Sequence, residues 1–298
     1  MNLKIIGGVD YCEVKDLIKR LHQNPKIENR GRIFRKQLYN VYFSSDKKYA
    51  LAFKYKGDFH WGPMVYNLTL ETRENNKTVL KKDFGSRIFI RDHYRKDYPW
   101  AKFCNKFYLL EMEEKPDNKT SNFIKIYDVD NDIEMPVADN GLSILACSKN
   151  LTHIIYNIYH KDNTIDVAVT DLSNRRTINI IKESRYYLYT AFFDKDEKYI
   201  ITIEQNKENN DLLLKVFTLS DVNLIYSQKI DLKHWLPEKS LFGIFIKKNT
   251  LFRTDTSWFT VEFCNDTNAL YFGMPKKGSL WGPDYYERLL WLKAELEF

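Results

Sequence analysis

"VAVTDLSN" (residues 167–174) decides how this chain is read, because the same eight-residue pattern recurs. It stands again at "VYNLTLET" (65–72), "IKIYDVDN" (124–131) and "LKVFTLSD" (214–221), without gaps. Each copy carries apolar residues at positions one and six and mostly at three, then a polar turn residue. That is an alternating strand running into a turn. Upstream lies a second element: "FSSDKKYALAF" (43–53), "FCNKFYLLEM" (103–112), "CSKNLTHIIY" (147–156) and "FDKDEKYIIT" (193–202). Here one strand enters a tight Asp/Asn/Lys turn and another leaves it. With Asp46, Asn105, Asn150 and Asp196 as turn anchors, the distances to the eight-residue pattern are 19, 19, 17 and 18 residues. Near-constant spacing in four copies marks a structural repeat. A fifth, shortened copy follows at 244–266, anchored at Asn249.

Each unit therefore reads strand, turn, strand, longer loop, strand, turn, strand. Four antiparallel strands in about 45–60 residues is the signature of a β-propeller blade. Across about 43–274 the chain resembles the WD40-like propeller group, with Tyr127-Asp128, Thr170-Asp171 and Phe217-Thr218 where that group places Trp-Asp. The repeat and the resemblance imply an all-β fold: a single propeller domain over 1–298, of about five to seven four-stranded blades. Residues 1–42 form an N-terminal segment with a short helix at 12–23, and 43–274 hold the blade repeats. Residues 275–298 close the chain, and "YYERLLWLKAELEF" (285–298) suits a terminal amphipathic helix. Strands from the two ends either supply a further blade or clasp the ring.

Composition agrees with a β-rich globular domain. Hydrophobic residues make up 44% and aromatic residues 15%, the latter favouring pleated, half-buried surfaces. The formal charge of +6 is spread along the chain rather than gathered on one face. This disfavours nucleic acid and fits a protein partner with an acidic surface. Cys12, Cys104, Cys147 and Cys264 form no CxxC pair, which argues against structural zinc, and the last three sit in strand-like apolar surroundings as small buried hydrophobes. The opening "MNLKIIGGVDYCEVK" has too short an apolar run for a signal peptide, and no stretch approaches the roughly 18 apolar residues of a membrane span. A cytoplasmic protein with reduced thiols is the expectation.

Strand alternation assigns the tight turns to one face of the ring and the longer connections to the other. The turns "SSDKK", "KDEK", "KKNT", "RENNK", "DNDIE" and "SNRR" are solvated turn chemistry. The other face collects "GDFHWGP" (57–63), "RDHYRKDYPW" (91–100), "ESRYY" (183–187), "KHWLPEK" (233–239) and "KKGSLWGPDYY" (276–286). The interval between the first two anchors is 59 residues against 45 and 46 for the next two, and the excess falls at 91–100. Trp, Tyr and Arg dominate interface hot spots, Trp by rigid buried area and Arg by planar bidentate donors. The expected partner-binding set is therefore His60, Trp61, Arg91, His93, Tyr94 and Arg95, with Tyr98, Trp100, Arg185, Tyr186, His234 and Trp235. Tyr187 and Trp281 fall on the same face, where the aromatics could equally plug the ring or pack between blades.

No catalytic or cofactor fingerprint is present: there is no GxSxG elbow, P-loop, GxGxxG, HxH or HExxH. "DVDND" (128–132) alternates carboxylates but lacks the Gly and the distal Glu of a calcium loop, and reads as a hairpin turn. The chain is thus expected to be a non-enzymatic protein-binding propeller without metal or cofactor. A narrower form is a bacterial immunity or antitoxin protein that neutralises a toxin. The alternative is a hydrolase or lyase whose His, Arg and Tyr converge at the centre of the same face. Binding of nucleic acid or glycans by aromatic stacking is a third reading.

Overall fold

A computed structural model describes the chain except for residues 22–25, 31–36, 45, 57–63, 76, 90–105, 115–119, 130, 140, 161–163, 185–186, 206–211, 232–259 and 276–288. Twenty strands and one helix make up the described part. The chain opens with β1 (Asn2–Val9) and α1 (Tyr11–Leu21). A first sheet holds β2 (Lys26–Arg30), β3 (Gln37–Phe43), β4 (Tyr49–Lys56), β5 (Met64–Glu74) and β6 (Lys77–Phe89). A second holds β7 (Lys106–Glu114), β8 (Thr120–Asp128) and β9 (Ile133–Asp139), joined to β6 through the single pair Phe89↔Glu111. The third is β10 (Gly141–Cys147), β11 (His153–Tyr159), β12 (Ile165–Asp171) and β13 (Arg176–Ser184). The fourth is β14 (Tyr187–Phe193), β15 (Tyr199–Gln205), β16 (Leu212–Thr218) and β17 (Leu224–Ile230). The last contains β18 (Thr260–Cys264), β19 (Ala269–Pro275) and β20 (Leu289–Glu297), completed by β1.

These antiparallel sheets stack face to face in chain order, which gives a propeller-like all-β fold. Middle strands are buried on both faces, so their sequences read as nearly unbroken apolar runs. In β11 and β12, Ile154, Tyr156 and Ala168 pack toward Ile124 and Ile126 of the second sheet. Their alternate neighbours Ile155, Val167 and Val169 pack toward Ala191, Phe193 and Ile200 of the fourth. The period of two thus divides one strand between two cores. Ile201, Ile203, Leu214 and Val216 continue the stack onto Phe263, Phe272 and Leu292 of the last sheet.

Both chain ends meet in that last sheet. β1 pairs antiparallel with β20, from Asn2↔Glu297 to Val9↔Trp291, with a bulge between Ile5 and Gly7. Gly7 lies there at φ 143°, a conformation that L side chains rarely adopt. Helix α1 then covers the sheet's remaining face. Val14, Leu17 and Ile18, at helical spacing, bury Trp291, Tyr271 and Leu289. β2 is secured differently: the Arg30 guanidinium grips the buried Glu71 carboxylate, with Nη2–Oε2 at 3.2 Å, and Thr78 donates to the same group at 3.1 Å.

The C-terminal helix expected over 285–298 is not formed: Leu289–Glu297 is the strand β20. Leu, Lys, Ala and Glu favour helix by propensity, and tertiary pairing overrides them. β20 lies between β1 and β19, hydrogen-bonded on both edges. Leu292, Ala294 and Leu296 face the fourth sheet while Leu289 and Trp291 face α1. The expected helix at 12–23 is present, one residue earlier at its start. The Cys expectation holds for Cys264, which is buried; Cys147 is half-buried and Cys104 lies outside the described residues.

The repeat is also visible as hydrogen bonds. Ser44, Ser148 and Asp194 begin the turns β3–β4, β10–β11 and β14–β15, and each accepts from backbone N–H further on. Ser148 Oγ takes Thr152 N at 2.8 Å and His153 N at 2.9 Å, and Asp194 Oδ1 takes Lys198 N at 2.7 Å and Tyr199 N at 2.6 Å. Tyr49 N meets Ser44 Oγ at 2.9 Å, and Asp46 accepts from Lys48 N. The turn is therefore fastened two residues before Asp46, Asn150 and Asp196. A backbone bond then ties each such turn to the end of the second strand after it: Arg73 N–Lys48 O, Leu172 N–Thr152 O, Leu219 N–Lys198 O and Leu296 N–Asn268 O. By this mark the first turn of the last sheet is Asn265–Asn268. The anchor Asn249 lies outside the described residues, and 260–264, read as the end of the fifth copy, is the first strand of the last sheet.

Candidate functional site

The sheets have two unlike ends. One carries the tight turns 44–48, 148–152, 172–175, 194–198, 219–223 and 265–268. At the other end lie the strand termini that border the long connections: Lys56 and Met64, Phe89, Glu114 and Thr120, Ser184 and Tyr187, Pro275 and Leu289, and Ile230. All twelve expected partner-binding residues fall in those connections, outside the described residues: His60 and Trp61 in 57–63, Arg91, His93, Tyr94, Arg95, Tyr98 and Trp100 in 90–105, Arg185 and Tyr186 in 185–186, and His234 and Trp235 in 232–259. Trp281 does too, and Tyr187 begins β14.

Near the loop-bearing termini, two polar groups are described. His160 follows β11, and its Nε2 lies 3.1 Å from Asp166 Oδ2. Asn179 Nδ2 donates to the same oxygen at 3.0 Å, and the His160 amide donates to Thr164 O at 3.0 Å. Asp166 is buried and His160 exposed, so the carboxylate orients a ring that remains open to solvent. In the next sheet Glu204 is buried. Lys215 Nζ donates to its Oε2 at 2.9 Å and Thr202 Oγ1 to its Oε1 at 3.3 Å. Burial pushes this carboxyl above the usual carboxylate range, and Lys215 opposes that. Sequence reading passed over both pairs, because their partners are 6 and 11 residues apart and join only through strand pairing.

At the turn end, a cavity of about 460 Å³ opens between the third and fourth sheets. Its apolar wall is Val169, Ile178, Leu219 and Val222, a continuation of the core between those sheets. The third sheet adds His153, Asp171, Asn174 and Arg176, and the fourth adds Glu197, Lys198 and Ser220. Asp171 accepts from Ser173 N at 2.9 Å, from the Ser173 hydroxyl and from Asn174 Nδ2 at 2.8 Å. The Ser173 hydroxyl is the chief reason its carboxyl lies below the usual range. His153 Nε2 stands 3.9 Å from Asp171 Oδ2, and its Nδ1 lies 3.1 Å from Thr152 Oγ1. Glu197 accepts from Lys149 N across the two sheets.

The "DVDND" stretch is the hairpin turn between β8 and β9. Asp128 accepts from Asn131 Nδ2 at 3.0 Å, and Asp132 engages Lys82 and Tyr127. Among the described residues no group of three His, Cys, Asp or Glu is placed to hold a metal ion, and no helix is long and apolar enough to cross a membrane.

No family model and no curated protein matches the chain. Solved structures similar to it include the β-propeller domain of the Trilobed protease from Pyrococcus furiosus, at 12% identity and TM-score 0.44, covering 66% of this chain and 53% of that one. Another is an uncharacterized protein from Listeria monocytogenes, at 12% identity and TM-score 0.47, covering 91% and 74%. A third is the acylaminoacyl peptidase of Pyrococcus horikoshii, at 10% identity and TM-score 0.40, covering 58% and 27%. The chain thus spans about half the length of the first and about a quarter of the last.

Proposed function

We propose that the protein is a non-enzymatic binding module: a closed five-bladed ring that takes a protein partner on its loop-bearing end. One observation carries this reading. Side-chain acceptors at the tight turns, Ser148, Asp171 and Asp194 among them, are engaged within the fold. The long connections at the other end concentrate Trp61, Trp100, Trp235, Arg91 and Arg95, residue types that anchor interfaces. The net charge of +6 suits a partner with an acidic surface. A cytoplasmic immunity or antitoxin protein capping a toxin is the narrower form, supported by the Lys-, Asn- and Ile-rich composition and by analogy alone. Ring closure rests on β1 completing the last sheet.

The test uses the product of the neighbouring gene, co-expressed and purified with this chain. Trp100→Ala and Arg95→Ala should each weaken a stoichiometric complex by about 30-fold or more, as loss of a hot spot does. Thermal melting should be unchanged. Turnover of chromogenic ester or peptide substrates that His160→Ala abolishes would overturn the non-enzymatic reading in favour of chemistry at the same end.

A further inference from the structure

We infer that the cavity between the third and fourth sheets at the turn end is a binding site for a small organic anion: a compact apolar group bearing one carboxylate or phosphate ester. It is independent of the protein-binding end.

The cavity's chemistry is asymmetric. Its two acids are already engaged: Asp171 accepts three hydrogen bonds from Ser173 and Asn174, and Glu197 accepts the Lys149 amide. Its cations are not. Among the described residues the Arg176 guanidinium enters no ion pair or hydrogen bond. Lys198 Nζ has Asp196 Oδ2 at 3.8 Å, a loose contact between two exposed side chains. Asp171 is thus held as an acceptor inside its turn, and Arg176 and Lys198 give the rim donors that neither acid of the cavity takes up. Arg176 comes from the third sheet and Lys198 from the fourth, so an anion between them would be held from both sides.

Beneath that rim the wall is Val169, Ile178, Leu219 and Val222. A volume of about 460 Å³ lies within the range of small-ligand sites, and an apolar wall with a few convergent polar groups is their usual composition. A fully hydrated inorganic ion would leave this wall unused, whereas an aryl or branched alkyl group would cover it. The ligand class follows from both halves together.

The experiment titrates benzoate and phenyl phosphate, with neutral benzamide as control, into the full chain. It follows the methyl resonances of Val169, Ile178, Leu219 and Val222 by NMR. At least one anion should shift these methyls saturably, with benzamide about tenfold weaker or absent. Arg176→Gln should weaken the anion about tenfold, while Arg175→Gln, its neighbour outside the cavity, should leave binding unchanged. Both arginines are exposed, and the melting temperature of each variant confirms folding. Benzoate alone would assign a carboxylate site, and phenyl phosphate alone a phosphate-ester site. Absence of saturable shifts with either anion, equal binding of benzamide, or retention of full affinity by Arg176→Gln would overturn the inference.

Discussion

Three carboxylates at the turn end and one toward the loop-bearing end are shifted in opposite directions. At the turn end, Asp46, Asp171 and Asp221 lie below the usual carboxylate range, led by the hydroxyls of Ser44, Ser173 and Thr218 respectively. Toward the loop-bearing end, Glu204 lies above it, because burial outweighs Lys215. The contrast has a simple physical origin. A hairpin turn is short and exposed, so its acid stays hydrated while local donors stabilise the charge. A strand interior strips water from an acid and offers few partners in return. The turn end is thus a set of self-satisfied fasteners, and the other end tolerates an acid under tension.

The largest effect should come from cutting a fastener. Asp194 is buried and accepts from Lys198 N, Tyr199 N and, at 3.2 Å, Asp196 N. Asp194→Ala should lower unfolding stability by about 1.5–3 kcal/mol, the range for hydrogen bonds to a charged group. Asp194→Ser should recover most of the loss, since Ser148 holds the equivalent turn through the same two amides. Chemical denaturation of the three proteins decides it. Equal losses for Ala and Ser would mean that the turn is held by packing, and the contrast between the ends would lose its basis.

A smaller effect separates the ends by pH. Glu204, raised when folded, contributes stability that is fully present below its unfolded pKa and is lost as pH rises through its folded value. Glu204→Gln stays neutral, so its melting temperature relative to the parent should climb from acid toward neutral pH. Asp171, lowered when folded, contributes stability above its unfolded pKa and loses it as pH falls through the folded value. Asp171→Asn should therefore match the parent at acid pH and fall behind it at neutral pH. Opposite slopes sharpen the comparison; a falling curve for Glu204→Gln would show that Lys215, half-exposed beside it, governs the pair instead.

Much of this was legible in the sequence, for identifiable reasons. The eight-residue pattern revealed the third strands because a strand buried on both faces reads as apolar at most positions, as "IDVAVTD" does in β12. "ERLLWLKAELEF" misled because its residues are good helix formers, and only the presence of β1 and β19 on either side makes it a strand. The turn fasteners were displaced by two residues because Asp46 and Asn150 are more conspicuous than Ser44 and Ser148 in the same turns, while in a third turn Asp196 competes with an equal, Asp194. Aligning the copies would have exposed them, since a Ser or Asp recurs at 44, 148 and 194. The cavity could not be read at all, because Arg176 and Lys198 belong to different repeats and meet only through sheet stacking.

The smallest expected effect tests whether every fastener is at its optimum. The turns β5–β6, β8–β9, β12–β13 and β16–β17 place Asn75, Asp132, Arg175 and Val222 at φ 49°, 57°, 58° and 57°. Asn and Asp tolerate this left-handed conformation, whereas for a β-branched residue it is a genuine outlier. Val222 is half-buried against the core between the third and fourth sheets, so its apolar contact opposes the backbone cost. The left-handed penalty is about 1–2 kcal/mol and a half-buried Val gains roughly 1, so Val222→Asn should raise stability by about 0.5 kcal/mol. Denaturation midpoints measured beside Asp194→Ala give the scale. A loss of stability in Val222→Asn would mean that the apolar contact outweighs the backbone strain, and that the turn end, like the strand interiors, is set first by packing.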